Sequence, residues 1–390
     1  MSSVNTVGPR HAFAGHPLRF HHVEPCSHTS ALQSLRNVLL SGLPRNDGWP
    51  SLDHKVLPFR MGRPLACSAS SSELARPDPS PPQWRLGWLS PSYLREFPAD
   101  LFVYLGSGLP EDSGTIYWAV DATHGGELRF GSGDGFNFVE LRTLMVATDW
   151  GNDRSMGEMA LAGHAKALLE WHESSRFCGQ CGAQTVTIDV GRRKQCTSDS
   201  CKKKIYPRVD PVIVLLVVDK RNDRALLSRR SRFVPRMWSC LAGFIEPGES
   251  LEEAVRRETW EVTGIEVGQV IYHSSQPWPV GPGSMPCQLM VGFFAHAKSL
   301  DIQVNKEALE DAQWHSREEV EKALTFAEYE KAQRTAAEKV SQMCRGVEKG
   351  TSFSTDFNVE SGELAPMFIP GPFAIAHHLI SSWVNQGASI

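Results

Sequence analysis

Gly243-Phe244-Ile245-Glu246-Pro247-Gly248-Glu249 is followed, after seven intervening residues, by Arg257-Glu258-Thr259-Trp260-Glu261-Val262-Thr263-Gly264-Ile265. The pair reads as a glycine-punctuated loop running into a helix predicted from Leu251 to Val262. Glu258 and Glu261 stand three apart, so both carboxylates share one helix face. Carboxylates placed this way can hold Mg²⁺ or Mn²⁺, cations that take oxygen ligands and bridge to substrate phosphates. Gly243 and Gly248 free the backbone to turn ahead of the helix and to approach an ion. Taken singly, Glu252, Glu253, Glu258 and Glu261 describe no more than the solvated side of an amphipathic helix. The whole spacing, Gly-x5-Glu-x7-Arg-Glu-x2-Glu-x2-Gly, describes a site.

Strands and helices alternate on both sides of this segment. The longest apolar run, Val212 to Val218, fits a buried strand, and Ala225–Ser228, Val267–His273 and Gln288–Ala295 read as further strands. A long polar helix is predicted from about Arg317 to Arg345. A Gly/Ser-rich loop then reaches Pro372, and a closing helix runs from Phe373 to Val384. Mixed strands with helices on both faces make an α/β domain. Upstream, Leu101–Leu105 and Thr115–Val120 look like strands and Met156–His172 like a helix, while Ser68 to Pro82 is Ser/Pro-rich and reads as a loop. No internal repeat is visible in the sequence.

Between these zones, Cys178-x2-Cys181 and Cys196-x4-Cys201 have the spacing of a four-thiolate zinc site. Gly179 and Gly182 flank the first pair, where the chain must turn. Arg192, Arg193, Lys194, Lys202, Lys203 and Lys204 would offset the thiolate charge. Four cysteines leave no open coordination position, so the zinc is expected to be structural.

The loop–helix segment resembles the Nudix box, the signature of hydrolases that cleave a nucleoside diphosphate linked to another group. The resemblance implies an α/β/α sandwich whose box glutamates bind a divalent cation. Arg257 then matches the arginine that orients the glutamates, with Glu249 as its partner, and the carbonyl of Ala242 matches a backbone metal ligand. The family has adjacent glutamates where this chain reads Glu261-Val262. Anchored on Trp314, the register puts Ala308 where a further metal glutamate is expected, with Glu307 beside it and Glu310 on the same segment.

Other segments resemble the NADH pyrophosphatase (NudC-like) subfamily, whose members include NAD-cap decapping enzymes. Leu168-Leu169-Glu170-Trp171-His172 leads into the cysteine quartet, and Tyr206-Pro207-Arg208 leads out of it, as in that group. Ser275-Gln276-Pro277-Trp278-Pro279 is similar to its substrate motif, read here as a stiffened loop on which Trp278 could stack a ring. An insert, Val280 to Ser284, interrupts that motif. Phe373 to Ile380 resembles the closing helix, in which the residue matching Ala376 contacts substrate, and His11 to Leu18 is weakly similar to the family's N-terminal start.

The organisation implied is an N-terminal α+β domain over 1–175, a zinc ribbon over 176–207 and a Nudix hydrolase domain with its C-terminal helix over 208–390. The function implied is metal-dependent cleavage of NADH or NAD⁺ to nicotinamide mononucleotide and AMP, with removal of NAD caps from RNA as an extension. Glu258 is expected to be the main metal ligand, Glu261 a second ligand or proton acceptor, and Glu307 a stand-in at the third position. Arg257 orients them, and Tyr206, Gln276, Pro277, Trp278, Pro279 and Ala376 are the substrate-binding set. Zn²⁺ and Mg²⁺ or Mn²⁺ are the implied cofactors. A catalytically impaired module that binds dinucleotides is the alternative, prompted by Val262 and Ala308; ADP-ribose or a diadenosine polyphosphate are alternative substrates.

The 390 residues carry 40 Lys+Arg against 44 Asp+Glu, a net charge of −4, which argues against a protein that coats nucleic acid through a uniformly basic surface. No apolar run approaches the length that spans a bilayer. Arg10, Arg19, Arg36 and Arg45 against Glu24 give the first 46 residues a loose likeness to a transit peptide, broken by Pro and His. Ala388-Ser389-Ile390 departs from a peroxisomal address. The expected partners are the dinucleotide, NAD-capped RNA and a second copy of the chain, in a cytoplasmic or peroxisomal setting with no membrane.

Overall fold

The computed structural model describes residues 11–18, 28–41, 53–68, 83–108, 115–124, 128, 135–233, 235–281, 285–324, 326–346 and 367–386. Most of the Ser/Pro-rich stretch, most of the 280–284 insert, most of the Gly/Ser-rich loop and the C-terminal tripeptide lie outside them.

The first unit contains α1 (His28–Ser41), β1 (Asp53–Arg60), β2 (Arg63–Ser68), β3 (Trp84–Leu86), β4 (Val103–Ser107), β5 (Thr115–Asp121), β6 (Phe136–Phe138), α2 (Leu141–Val146) and α3 (Asp153–Ser174). Its sheet has the order β3-β2-β1-β5-β4, with β6 also paired to β2. Alternation decides what covers each face. Ile116, Trp118 and Val120 of β5 pack with Leu35 and Leu39 of α1, whereas Tyr117 and Ala119 face the cluster that holds Leu144 of α2 and Leu168 of α3.

Three short strands follow: β7 (Thr185–Ile188), β8 (Arg193–Cys196) and β9 (Lys204–Ile205), paired in that order.

The last unit contains β10 (Asp210–Asp219), β11 (Arg224–Arg229), β12 (Leu241–Phe244), α4 (Leu251–Thr263), β13 (Val267–Trp278), β14 (Gln288–Ala297), β15 (Asp311–Ser316), α5 (Arg317–Ala323), α6 (Phe326–Cys344) and α7 (Ile375–Gln386). Its sheet runs β13-β14-β10-β11-β15, with β12 on β10. Ile213, Leu215 and Val217 of β10 pack under Ala254, Val255 and Val262 of α4. Val214, Leu216 and Val218 point the other way, onto Val320 of α5 and Ile375, Leu379, Ile380 and Trp383 of α7. The apolar run is apolar throughout because both faces are covered, and each buried aliphatic side chain contributes about 1.5–3 kcal/mol. This is the expected α/β/α sandwich.

Both large sheets use one plan. In each, a hairpin (β1/β2, β10/β11) lies beside a strand parallel to its first member (β5, β14), which pairs antiparallel with the strand preceding it (β4, β13). The repeat is absent from the sequence because it is carried by alternation and connectivity rather than by residue identity. Among its described residues the first unit has no counterpart of α4; two short 3-10 turns, Pro91–Leu94 and Ala99–Leu101, stand between its β3 and β4.

The helix expected from about Arg317 to Arg345 is two helices. Ser316 and Glu319 form a capping box at the start of α5, and Leu324, at φ −78° and ψ 60°, leaves the helical conformation before α6 begins. Once reoriented, α6 buries Ala336, Ala337, Val340 and Met343 in the core of the first unit. The chain therefore returns to its N-terminal sheet after building its C-terminal one.

Candidate active site

Helix α4 is fixed at both ends. Ser250 accepts from the Glu253 amide and Glu253 reaches back to Ser250, while Gly264 closes the helix at φ 69°. Glu252 and Glu253 in the first turn suit the positive end of the helix dipole.

Arg257 organises the carboxylates. Its Nε donates to Glu249 Oε1 at 2.6 Å and its Nη2 to Glu249 Oε2 at 3.0 Å, a bidentate pair. The same guanidinium donates to Glu261 Oε2 at 2.8 Å and to the Phe244 carbonyl at 2.9 Å, and lies 3.6 Å from Glu258 Oε2. The hydrogen bond to Glu249 holds the Arg257 pKa above its ordinary value, and the same contact depresses that of Glu249. One cation thus ties the loop to the helix and aligns three acids.

Glu258 lies in a notch made by Gly243. A Cβ at position 243 would sit 2.2 Å from the Glu258 carboxyl carbon, so only glycine lets the carboxylate reach the backbone there. Gly243 belongs to β12, opposite Ile213, so its contribution is space; the left-handed turn before the helix falls on Gly248, at φ 96°. Burial raises the Glu258 pKa, with Arg230 and Arg257 opposing it.

Arg230 escaped the sequence reading. Its Nη2 donates to the Ala242 carbonyl at 2.6 Å, and its charge acts on Glu258. A basic residue just beyond β11 gives no pattern; the antiparallel bridge between Ser228 and Ser239 folds it back onto β12.

The other expected positions diverge. Val262 is buried in the apolar cluster with Ile265, Val267 and Leu309, so its side chain belongs to the core. Glu307 is exposed, as is Ala308, and Glu310 is held by Arg229 at 3.0 Å. Among the described residues, the four cysteines form the only group of three or more potential ligand side chains close enough to share an ion, so Glu307 does not complete a triad with Glu258 and Glu261. The oxygen donors present near α4 suit a hard cation that completes its shell with water and substrate phosphate.

Ser275 to Trp278 form the end of strand β13 rather than a loop, with Pro277 opposite Leu289. An edge strand tolerates the missing proline N–H. Gln276 is completely buried; its Nε2 donates to the carbonyls of Ala12 (3.2 Å) and Phe373 (2.7 Å), and its Oε1 accepts from the Ile375 amide (2.8 Å). The side chain expected to meet substrate is committed to joining three chain segments. Trp278 is half-buried, with the Phe13 ring edge-on at 6.1 Å and the Arg142 guanidinium 5.9 Å from its centre. Arg142 also donates to the Val280 carbonyl at 2.9 Å. Pro279 is buried, and Ala376 is buried with its carbonyl accepting from the Cys240 thiol. Tyr206 is exposed, with Arg193 5.3 Å from its ring centre.

In the ribbon, Cys178 and Cys201 sulfurs lie 3.8 Å apart and Cys181 and Cys196 sulfurs 3.4 Å apart, all four within 4.8 Å of one another. Tetrahedral coordination at about 2.3 Å from a metal places sulfurs about 3.8 Å apart, so the quartet fits a zinc-sized ion. Gly182 takes the left-handed turn in the first knuckle, whereas Gly179 does not. Lys194 is buried and donates to the carbonyls of His172 (2.6 Å) and Ser175 (3.0 Å), so its charge serves the end of α3 rather than the thiolates. Cys196→Ser should therefore release the metal and loosen the α3–ribbon junction, read as loss of bound zinc in elemental analysis and a lower Tm.

Residues 208–336 match the family model described as NUDIX domain, and 54–171 match the NADH pyrophosphatase-like rudimentary NUDIX domain. The chain belongs to the Nudix hydrolase family, and its first unit is a reduced version of the same fold, as the shared sheet plan indicates. It is 62% identical over 387 residues to Nudix hydrolase 19, chloroplastic, of Arabidopsis thaliana, covering 96% of this chain and 86% of that one. It is 36% identical to the human NAD-capped RNA hydrolase NUDT12 over 58% of this chain and 42% of that protein. With the human mitochondrial NAD(P)H pyrophosphatase NUDT13 it shares 34% identity over 64% of this chain and 60% of the relative. This chain thus spans less than two thirds of either human relative. Among the described residues, no helix is long and apolar enough to cross a membrane.

Proposed function

We propose that the protein is a metal-dependent diphosphatase that hydrolyses NADH or NAD⁺ to nicotinamide mononucleotide and AMP, and acts on the same dinucleotide when it caps RNA. The observation that carries this reading is the Arg257 clamp, which holds Glu249 and Glu261 and lies against Glu258 in the Gly243 notch of a Nudix sheet. Relatives named as NAD(P)H pyrophosphatase and NAD-capped RNA hydrolase support the substrate class.

In this reading Glu258 is the main ligand of Mg²⁺ or Mn²⁺, Glu261 a second ligand or proton acceptor, and the Ala242 carbonyl a backbone ligand. The cation would neutralise phosphate charge and acidify a bound water. Arg230, which donates to that same Ala242 carbonyl at 2.6 Å, would release it to the cation and offer its positive charge to the diphosphate. Trp278, flanked by Phe13 and Arg142, supplies a flat face for a ring. Zinc in the cysteine quartet is structural. A homodimer and a peroxisomal location rest on the family resemblance alone, and a cytoplasmic one on the lack of a clear targeting signal; two relatives are named for the chloroplast and the mitochondrion.

The alternative of a binding module without turnover gains no support from relatives named as hydrolases. Val262 removes one carboxylate without disturbing the clamp, since it packs in the core. Release of AMP from NADH in Mg²⁺ or Mn²⁺, absent when the cation is chelated, is the expected result. Intact NADH after prolonged incubation with both ions would overturn the enzymatic reading. Parallel assays with ADP-ribose and diadenosine polyphosphate decide the substrate.

A further inference from the structure

Charge is distributed very unevenly along this chain. Residues 176–208 hold eight Lys/Arg against Asp189 and Asp199, within a protein of net charge −4. Four thiolates around one divalent ion carry −2, so the ribbon stays strongly positive with its metal in place. Much of that charge is exposed on Arg193, Lys202, Lys203, Lys204 and Arg208. Some of it is matched: Arg193 pairs with Asp189 at 3.1 Å, Lys202 with Asp199 at 2.6 Å and Arg208 with Asp210 at 2.8 Å. Lys203 and Lys204 have no carboxylate within ion-pair distance among the described residues.

Aromatic side chains accompany the charge. Phe177 is 61% exposed and Tyr206 58% exposed, the latter beneath the Arg193 guanidinium. A core offers no reason for either ring to face water. Cations interleaved with exposed rings are what a single-stranded polynucleotide requires: ion pairs for its phosphates and flat faces for its bases. The ribbon also leads toward the substrate motif. From β9 the chain passes through Tyr206 and Arg208 into β10, whose Asp210 lies opposite Gln288, itself opposite Trp278.

We propose that the exposed basic and aromatic face of the zinc ribbon binds the RNA strand that follows a dinucleotide cap. This rests on the diphosphatase reading for its biological sense, but the binding itself can be tested separately. A free dinucleotide ends at its second nucleoside, so the ribbon lysines should matter only when a chain is attached.

The test compares the zinc-loaded natural protein with Lys202→Gln/Lys203→Gln/Lys204→Gln and with the charge-preserving triple Arg variant. Zinc content of each is checked first, and a double Lys203→Gln/Lys204→Gln variant replaces any that loses metal. The first readout is fluorescence anisotropy of uncapped single-stranded RNA of about 16 nucleotides across a salt series. The second is kcat/KM on free NADH and on the same RNA carrying an NAD cap.

The Gln variant should lose at least about tenfold in RNA affinity and flatten the log–log salt slope by about 0.7 for each phosphate contact removed. Its capped-RNA kcat/KM should fall in proportion, with NADH turnover unchanged, and the Arg variant should keep both. Unchanged RNA binding in the Gln variant would overturn the proposal, as would binding to anionic phospholipid vesicles with none to RNA. If no variant hydrolyses NADH, the diphosphatase reading fails while the anisotropy still decides this one.

Discussion

Glu258→Gln is expected to reduce AMP release from NADH by at least about 100-fold at saturating Mg²⁺, beyond the 10–100-fold typical of residues that merely support a metal ligand. The change keeps the size of the side chain, so the notch at Gly243 remains filled, but it removes the charge that draws a cation there. Because burial already raises the Glu258 pKa, the neutral amide should leave the Tm in metal-free buffer unchanged or slightly higher. The check is steady-state kinetics over a Mg²⁺ titration, alongside thermal melts with and without the ion. Retention of half the natural rate would remove Glu258 from the centre of the site.

Gly243→Ala should have a comparable effect by a different route. The new methyl would fall 2.2 Å from the Glu258 carboxyl carbon, well inside contact distance, so the carboxylate must swing out of the notch at position 243. A displacement of about 1 Å in a positioned group can cost roughly 100-fold in rate. Arg257 would still be bound to Glu249, so the loop–helix junction should survive and far-UV circular dichroism should be unaltered. A strong loss of rate with an intact fold separates this steric account from general destabilisation. Natural activity in the alanine variant would show that the notch is not needed.

Much of this architecture can be read from residue order because its rules are local. The Arg257–Glu249 pairing follows from loop and helix spacing, and α4 from its Ser250–Glu253 box and closing Gly264. The two faces of β10 follow from a run that is apolar at every position. What escapes depends on segments far apart in the chain. Arg142 reaches Trp278 from the other unit, and even Arg230, 12 residues from Ala242, meets it only because the chain folds back at the Ser228–Ser239 bridge. Gln276 is the instructive reversal. Its amide suggested a ligand contact, yet its partners Ala12 and Phe373 are 264 and 97 residues away, and burial gives the amide to them. Val262 likewise looks like a lost ligand in one dimension and like a core residue in three.

Helix α6 has a consequence for biosynthesis. Ala336, Ala337, Val340, Met343 and Cys344 close a hydrophobic cluster whose other buried members come from before residue 170, with Trp278, Val280 and Phe373 packed against it. That cluster stays open on the ribosome until some 170 further residues have been made after α3, roughly ten to thirty seconds at about 5–20 residues per second. A nascent chain in this interval presents greasy surface to its surroundings, and chaperone demand should be concentrated there. A fragment cut between the ribbon and β10 would be left in that state permanently.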